Sequence, residues 1–293
     1  MRLVPFLMLG LTLCDLHTLA LAQLEKEVFI YKGEPVSQSG ITIGGWGSGK
    51  AGESKERVLT GGNSIKMTIQ GLYSGARLDF AQPVTLFSDG VADTRYLMLT
   101  LYFADLQTVD PAAETNYALD VSPYTIPKVN RVRLVFVSNN NEKLSVEEPT
   151  NPVDPDDNWV RIAVPLAKFR KAGFDKSFSL KRLLFFTDIP STVYLGEIKL
   201  VSDDTPIKVD PLGTQTVAVY DEVFFVVSAT GGVSSLRYAW DFDDSNGIQA
   251  EVTGPIGRFV YTRGGDFKVT VVVSDADGIK KEAVATGSVS VID

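Results

Sequence analysis

Residues Gly44 to Lys50 read G-G-W-G-S-G-K, the glycine spacing and closing lysine with which a loop can wrap a nucleotide phosphate. The next residue is Ala51, where such a loop needs a hydroxyl for magnesium. Both flanks read as strand or loop, so the helix that completes a phosphate cradle is missing. Phosphate chemistry is set aside, and the side chain of interest in this loop becomes Trp46. Acidic residues offer two further candidates. Asp154, Asp156 and Asp157 approach a calcium-loop spacing, but Pro155 interrupts it and the required glycine and glutamate are absent. The run from Asn139 to Trp159 therefore reads as a flexible acidic loop. Glu147 and Glu148 are neighbours in that run, and nothing holds them at the separation a pair of glycosidase carboxylates needs.

Cys14 and His17 are the only cysteine and histidine. Both lie in the first 22 residues, where Arg2, an apolar run and Ala20-Leu21-Ala22 follow the plan of a secretory leader. Leu13 before Cys14 is larger than lipoprotein processing prefers. The apolar run is too short to span a hydrocarbon layer of ~30 Å, so the mature chain is expected to carry no integral membrane segment. Once the leader is removed, a disulfide, a thiol nucleophile, an imidazole base and a His/Cys zinc site are all excluded. The formal charge of −8 comes without a basic tract, which argues against nucleic acid.

What positions the remaining candidates is a chain of strands. Ile65, Met67 and Ile69 alternate with Lys66 and Thr68; Ala76, Leu78 and Phe80 alternate with Arg77 and Asp79. Leu97, Leu99, Leu101 and Phe103 oppose Thr100 and Tyr102, and Val132, Leu134 and Phe136 oppose Arg131 and Arg133. Further runs are WVRIAVP, RLLFFT and TVYLGEIKL, and only Pro165 to Gly173 suggests a helical turn. This pattern predicts an all-β chain of antiparallel sandwiches. The VSDDTPIKVDP stretch reads as a short linker, with the boundary near residues 203–207. The expected organisation is a leader at 1–22, a β-sandwich at 23–203 and a smaller one at 204–293.

The second segment resembles the PKD domain. YAWDFDDSNG supplies Trp240, Asp241, Phe242 and Asp244 of the family's W-D-F-G-D-G signature, with Asp243 in place of glycine. Tyr261, Gly265, Phe267, Val269, Val271, Val273, Asp275 and Gly278 fill the second signature in register. The resemblance implies an immunoglobulin-like β-sandwich acting as spacer or interaction module, with protein partners open to it. Trp240 is expected in its core, and Asp241 and Asp244 in a turn rather than a calcium site.

The first segment is similar to galactose-binding-like β-jelly-roll carbohydrate-binding modules. Gly62, Ser64, Tyr73, Gly75 and Ala76, then Trp159, Val164, Pro165, Leu166 and Phe169, and the closing VYLGEIKL carry the likeness. It implies a polysaccharide or cell-surface glycan as partner, and a secreted, cell-surface or periplasmic bacterial protein without catalysis. The expected ligand face combines Arg77, Tyr102, Arg131 and Arg133 with Trp46 and Tyr73 in nearby loops; forked arginine donors and aromatic rings suit a hydroxylated or acidic sugar. The bland alternative is a solvated sheet face with Arg–Asp cross-strand pairs. Modules of this kind also suggest a structural calcium ion at the closing strand. Here Gly196 stands where aspartate is frequent, leaving Glu197 and Glu27 as ligands; the other reading is a solvated strand edge. A protein-binding adhesin and a jelly-roll hydrolase or lyase are the competing functions.

Overall fold

The computed structural model describes residues 27–87, 95–109, 124–150, 158–174 and 177–293. The leader, with Cys14 and His17, and the acidic run of Asp154, Asp156 and Asp157 fall outside the described residues. In the N-terminal part the strands are β1 (Glu27–Tyr31), β2 (Ile41–Trp46), β3 (Lys50–Ser54), β4 (Ser64–Gln70), β5 (Gly75–Phe87), β6 (Arg95–Phe103), β7 (Leu106–Val109), β8 (Tyr124–Pro127), β9 (Arg131–Ser138), β10 (Lys143–Pro149), β11 (Val160–Pro165), β12 (Phe178–Thr187) and β13 (Pro190–Ser202). A single helical turn, α1 (Ala167–Lys171), sits between β11 and β12. One sheet runs β11-β6-β13-β4-β3, with β1 pairing β13, and the other runs β10-β9-β12-β5-β2. Every pairing within these two sheets is antiparallel.

The alternation in sequence explains the layering. Ile65, Met67 and Ile69 of β4 and Leu97, Leu99, Leu101 and Phe103 of β6 share one core with Ala76 and Leu78 of β5 and with Leu134 and Phe136 of β9. Each such aliphatic or aromatic side chain contributes about 1.5–3 kcal/mol by leaving water. Phe169, projected from α1, closes one end of this core edge-on to Phe87, Phe136 and Phe178, at centroid distances of 6.0, 4.9 and 4.9 Å.

One segment departs from expectation. Lys143–Pro149 is strand β10, in unbroken register with β9 from Lys143 opposite Val137 to Pro149 opposite Arg131. Alternation is present there, with Val146 and Glu148 turned inward, but the glutamates disguise it. Glu147 faces outward to Arg131 while Glu148 is buried against Lys168, so the two carboxylates lie on opposite sides of the sheet and form no catalytic pair.

The C-terminal part carries β14 (Lys208–Val209), β15 (Thr214–Ala218), β16 (Glu222–Val226), β17 (Ala229–Thr230), β18 (Leu236–Asp241), β19 (Val252–Thr253), β20 (Ile256–Val260), β21 (Gly265–Asp275) and β22 (Ala283–Ile292). The main sheet runs β15-β22-β21-β18-β19, with β15 parallel to β22; β16 pairs β20 and β14 pairs β17. Trp240 is fully buried at the centre of a second core, and its indole N–H donates to the Gly254 carbonyl at 2.8 Å. A Cβ at Gly257 would come within 2.5 Å of that indole, so only glycine lets β20 cross it.

The stretch after β13 is no loose tether. Asp203 accepts hydrogen bonds from Thr205 N at 3.0 Å, Val233 N at 2.8 Å and Lys280 Nζ at 2.5 Å. Around it Tyr96, Met98, Ala163 and Val201 of the first sandwich pack with Val233 and Ile279 of the second. Tyr96 Oη lies 3.0 Å from Ser234 Oγ, and Lys168 bridges Glu148 to Asp277 at 2.5 and 3.0 Å. Reading this segment as a linker missed that its acidic residue has a buried lysine waiting in the other domain. Among the described residues, no helix is long and apolar enough to cross a membrane.

Candidate functional site

The glycine-rich loop turns a corner between the two sheets. Trp46 ends β2 in one sheet, Gly47, Ser48 and Gly49 make the turn, and Lys50 opens β3 in the other. A strand pair without a following helix provides no phosphate cradle. The glycines serve close approach instead: a Cβ at Gly49 would sit 2.1 Å from Gly75 O, and one at Gly47, whose φ is +63°, would sit 2.6 Å from Ser74 Oγ. This approach seats the loop on the Tyr73–Ser74 turn and brings Trp46 and Tyr73 to the same edge of the β10-β9-β12-β5-β2 sheet.

On the outer face of that sheet lies a groove of about 490 Å³ whose rim carries Trp46 and Tyr73. Its floor is apolar. Val135 and Val137 of β9 and Leu184 and Phe186 of β12 form a small buried cluster apart from the main core. Tyr73 is 78% exposed and Trp46 40%, so the aromatic surface is open to a ligand. Arg133 is clamped between rings and acceptors. Its guanidinium carbon lies 5.3 Å from the Tyr73 ring centre and 5.4 Å from that of Phe186. Its Nη1 donates to Leu72 O at 2.8 Å and its Nε to Ser145 Oγ at 3.0 Å.

Arg182 and Lys143 complete the polar lining with Asn141. Arg182 Nε donates to Asp79 Oδ1 at 2.5 Å, and Arg77 Nε lies 2.8 Å from Asp79 Oδ2. One carboxylate thus orders two guanidinium groups. Arg77 itself lies beside the groove, opposite Leu184 on β12 and Gly44 on β2. A Cβ at Gly44 would be 3.3 Å from Arg77 Nη2. Arg131 is on the same face but ion-paired to Glu147 at 3.0 Å.

Of the six predicted ligand-face residues, Trp46, Tyr73 and Arg133 line the groove, and Arg77 and Arg131 flank it on the same face. Tyr102 does not join them. It belongs to β6 in the other sheet, packed edge-on to Trp159 and Tyr194 at 5.7 and 6.0 Å, with Arg57 over its ring at 5.1 Å. Thr100 shares that sheet and is buried, donating to Glu197 Oε1 at 2.9 Å. Alternation separates inside from outside in each strand but does not say which of two sheets a strand joins, and there the two sets were merged. The expectation missed Lys143, Arg182, Leu184 and Phe186. Alternation in R-L-L-F-F-T already sets Arg182, Leu184 and Phe186 on one side.

Glu27 and Glu197, the predicted calcium ligands, do converge. Between them stands Lys199, whose Nζ is 3.2 Å from Glu27 Oε1 and 3.4 Å from Glu197 Oε1. The two carboxylates therefore meet an ammonium group. Gly196 sits at a bulge between β13 and β6, where a Cβ would come 2.7 Å from Leu59 Cβ and 2.8 Å from Trp159 Cζ3. The ring and the leucine fill the space an aspartate side chain would take. Among the described residues, no group of three or more His, Cys, Asp or Glu is placed to hold a metal.

In the C-terminal sandwich, Asp241 is buried and accepts from Asp243 N at 2.9 Å and Gln249 N at 2.5 Å, while Asp244 pairs with Lys268 at 2.6 Å. Asp275 accepts from Asp277 N, Ile279 N and Lys280 N at 2.8, 2.9 and 3.1 Å, folding the chain around Gly278 at φ +65°. These aspartates hold turns, as short polar side chains do. Residues 204–291 match the PKD domain family. The aspartates and Trp240 of this PKD domain thus have structural partners within it.

A search of curated protein sequences finds no match. Among solved structures, the chain is similar to the C-terminal family 22 carbohydrate-binding module of Clostridium thermocellum Xyn10B, with 13% identity over 59% of this chain and 92% of that one and a TM-score of 0.33. A xylan-binding domain of the same module family gives 12% identity, 59% and 94% coverage and a TM-score of 0.31. The glycosylation-associated Gap123 complex of Streptococcus agalactiae gives 16% identity, 72% and 37% coverage and a TM-score of 0.26.

Proposed function

We propose that this chain is a secreted, non-catalytic glycan-binding protein whose jelly roll holds a carbohydrate chain in the groove of the β10-β9-β12-β5-β2 sheet. The observation that carries the proposal is the groove itself: two exposed rings, Trp46 and Tyr73, at the rim of an apolar floor edged by fixed arginines. Sugar rings present C–H faces that stack on aromatics and hydroxyls that take forked donors. Among the described residues the groove lining contains no carboxylate, which speaks against acid–base cleavage there. The PKD domain, packed against the jelly roll through Asp203 and Lys280, serves as a fixed platform or a surface for a protein partner.

The test is retention of the purified mature chain on a panel of plant and microbial polysaccharides, with Trp46→Ala and Tyr73→Ala as variants. Retention that falls at least tenfold in either variant, with unchanged thermal unfolding, supports the reading. Absence of retention on the whole panel refutes it and leaves an adhesive protein without a sugar ligand.

A further inference from the structure

We infer that the ligand of this groove is an acidic polysaccharide, a chain bearing uronate carboxylates; the inference rests on the glycan-binding reading above. The charge pattern points there. The protein carries a formal charge of −8, yet Arg133, Lys143 and Arg182 line the groove with no Asp or Glu among its described lining residues. Asp79, just outside the lining, is shared by Arg182 and Arg77, so that trio keeps one positive charge in excess. Arg133 is held by two neutral acceptors, Ser145 Oγ and Leu72 O, and among the described residues meets no carboxylate. Glu147 stands opposite it across the strand pair, but its carboxylate turns to Arg131. Glu142, in the adjacent hairpin, takes the Ser138 hydroxyl at 3.4 Å. Lys143 makes no ion pair or hydrogen bond among the described residues.

Four cations on one patch against a single carboxylate are costly to keep together. On an acidic protein, such a patch raises the local concentration of anions and speeds their capture. The arginines are already immobilised, by Asp79 for Arg77 and Arg182 and by the two rings for Arg133, so little side-chain freedom remains to be lost on binding. A guanidinium fork fits a planar carboxylate, and the free ammonium of Lys143 adds an adjustable point charge. A neutral glycan would satisfy the rings and leave these charges unanswered. A uronate chain engages both, stacking on Trp46 and Tyr73 while its carboxylates meet Arg133, Arg182 and Lys143.

The experiment is calorimetric titration of the mature chain with polygalacturonate, alginate, hyaluronan and glucuronoxylan, then with the best binder after chemical reduction of its carboxyl groups to alcohols. Dextran sulfate serves as a charge-only control. The inference expects at least one polyuronate to bind, a loss of tenfold or more on carboxyl reduction, and weakening between 50 and 500 mM salt. Lys143→Ala, at an exposed position without an ion pair among the described residues, is expected to weaken uronate binding several-fold without shifting the unfolding temperature. Equal binding of the reduced polymer overturns the inference while leaving glycan binding intact. Equal or tighter binding of dextran sulfate overturns it in favour of charge alone. Failure of all four polyuronates overturns it too, and retention on the neutral members of the plant and microbial polysaccharide panel then decides whether the glycan-binding reading also falls.

Discussion

Lys280→Met removes the buried cation from the junction of the two domains and should destabilise the protein. The Lys280 and Asp203 side chains are only 6% and 8% exposed, and Nζ lies 2.5 Å from both Asp203 Oδ2 and Gly231 O. Burial alone would raise the Asp203 pKa, but Lys280, Thr205 and Val233 outweigh it and bring the carboxyl down to about 2 from 3.8. Nearly two units at ~1.4 kcal/mol each give about 2.5 kcal/mol in favour of the charged form. Breaking a buried pair by removing one partner costs roughly 3–5 kcal/mol, because the other charge stays behind. For a chain of this size that lowers the unfolding temperature by on the order of 10 °C. The pH signature follows from the depressed pKa. The stabilisation is present above pH 4 and is lost as pH falls toward 2. Denaturant unfolding at pH 7, 4 and 2.5 measures both quantities, with Asp203→Asn/Lys280→Met expected to recover part of the loss. A loss under 1 kcal/mol at pH 7, or the same acid sensitivity in variant and parent, would refute the reasoning.

Three further outcomes are expected. Burial pushes the Glu148 carboxyl up to about 7 despite Lys168, with Asp277 adding to the rise. Its contribution is therefore greatest at acid pH and declines as pH rises through 7, by at most about 3 kcal/mol; Glu148→Gln should flatten the slope between pH 5 and 8 in urea titrations. Gly196→Ala drives a methyl into Leu59 and Trp159, costing about 1–3 kcal/mol by chemical denaturation and shifting tryptophan fluorescence. Millimolar calcium or a chelator should move the parent's unfolding temperature by less than about 1 °C, since Lys199 already answers Glu27 and Glu197. In Lys199→Gln, where two carboxylates lose that partner, added calcium should raise it; a calcium-dependent parent would contradict this.

Alternation alone placed the inward residues of β4, β5, β6 and β9, because a half-buried antiparallel strand must write its core face every second residue. It also separated Arg133 from Leu134 correctly. What it could not supply is which strands are neighbours, so Tyr102 was grouped with arginines that lie on the other sheet. Polar residues that are buried with partners also misled. Glu148 made β10 look like a loop, and Asp203 made a pinned junction look like a linker; in each case the lysine that licenses burial lies 20 or 77 residues away. The PKD signatures were legible because their aspartates and glycines act locally, within a turn. The groove was half legible: Trp46 and Tyr73 stood out, while Arg182 and Phe186 were hidden in a strand that read only as core.

The strand order has a consequence for how the chain is made. β13, the last strand of the jelly roll, pairs with β1, β4 and β6, and β22 of the PKD domain lies between β15 and β21. In each sandwich the final strand to be synthesised is an inner one. β1 has no sheet to join until residues 198–201 exist, and β15 none until 288–292. Other strands can pair earlier, the β10-β9-β12-β5-β2 sheet needing nothing beyond residue 187, but neither sandwich closes until its last strand docks over long sequence distances, which slows folding. A ribosome stalled a few residues short of β13 would hold a chain whose β10-β9-β12-β5-β2 sheet can already pair, while the opposite sheet lacks its central strand and leaves that side of the core open.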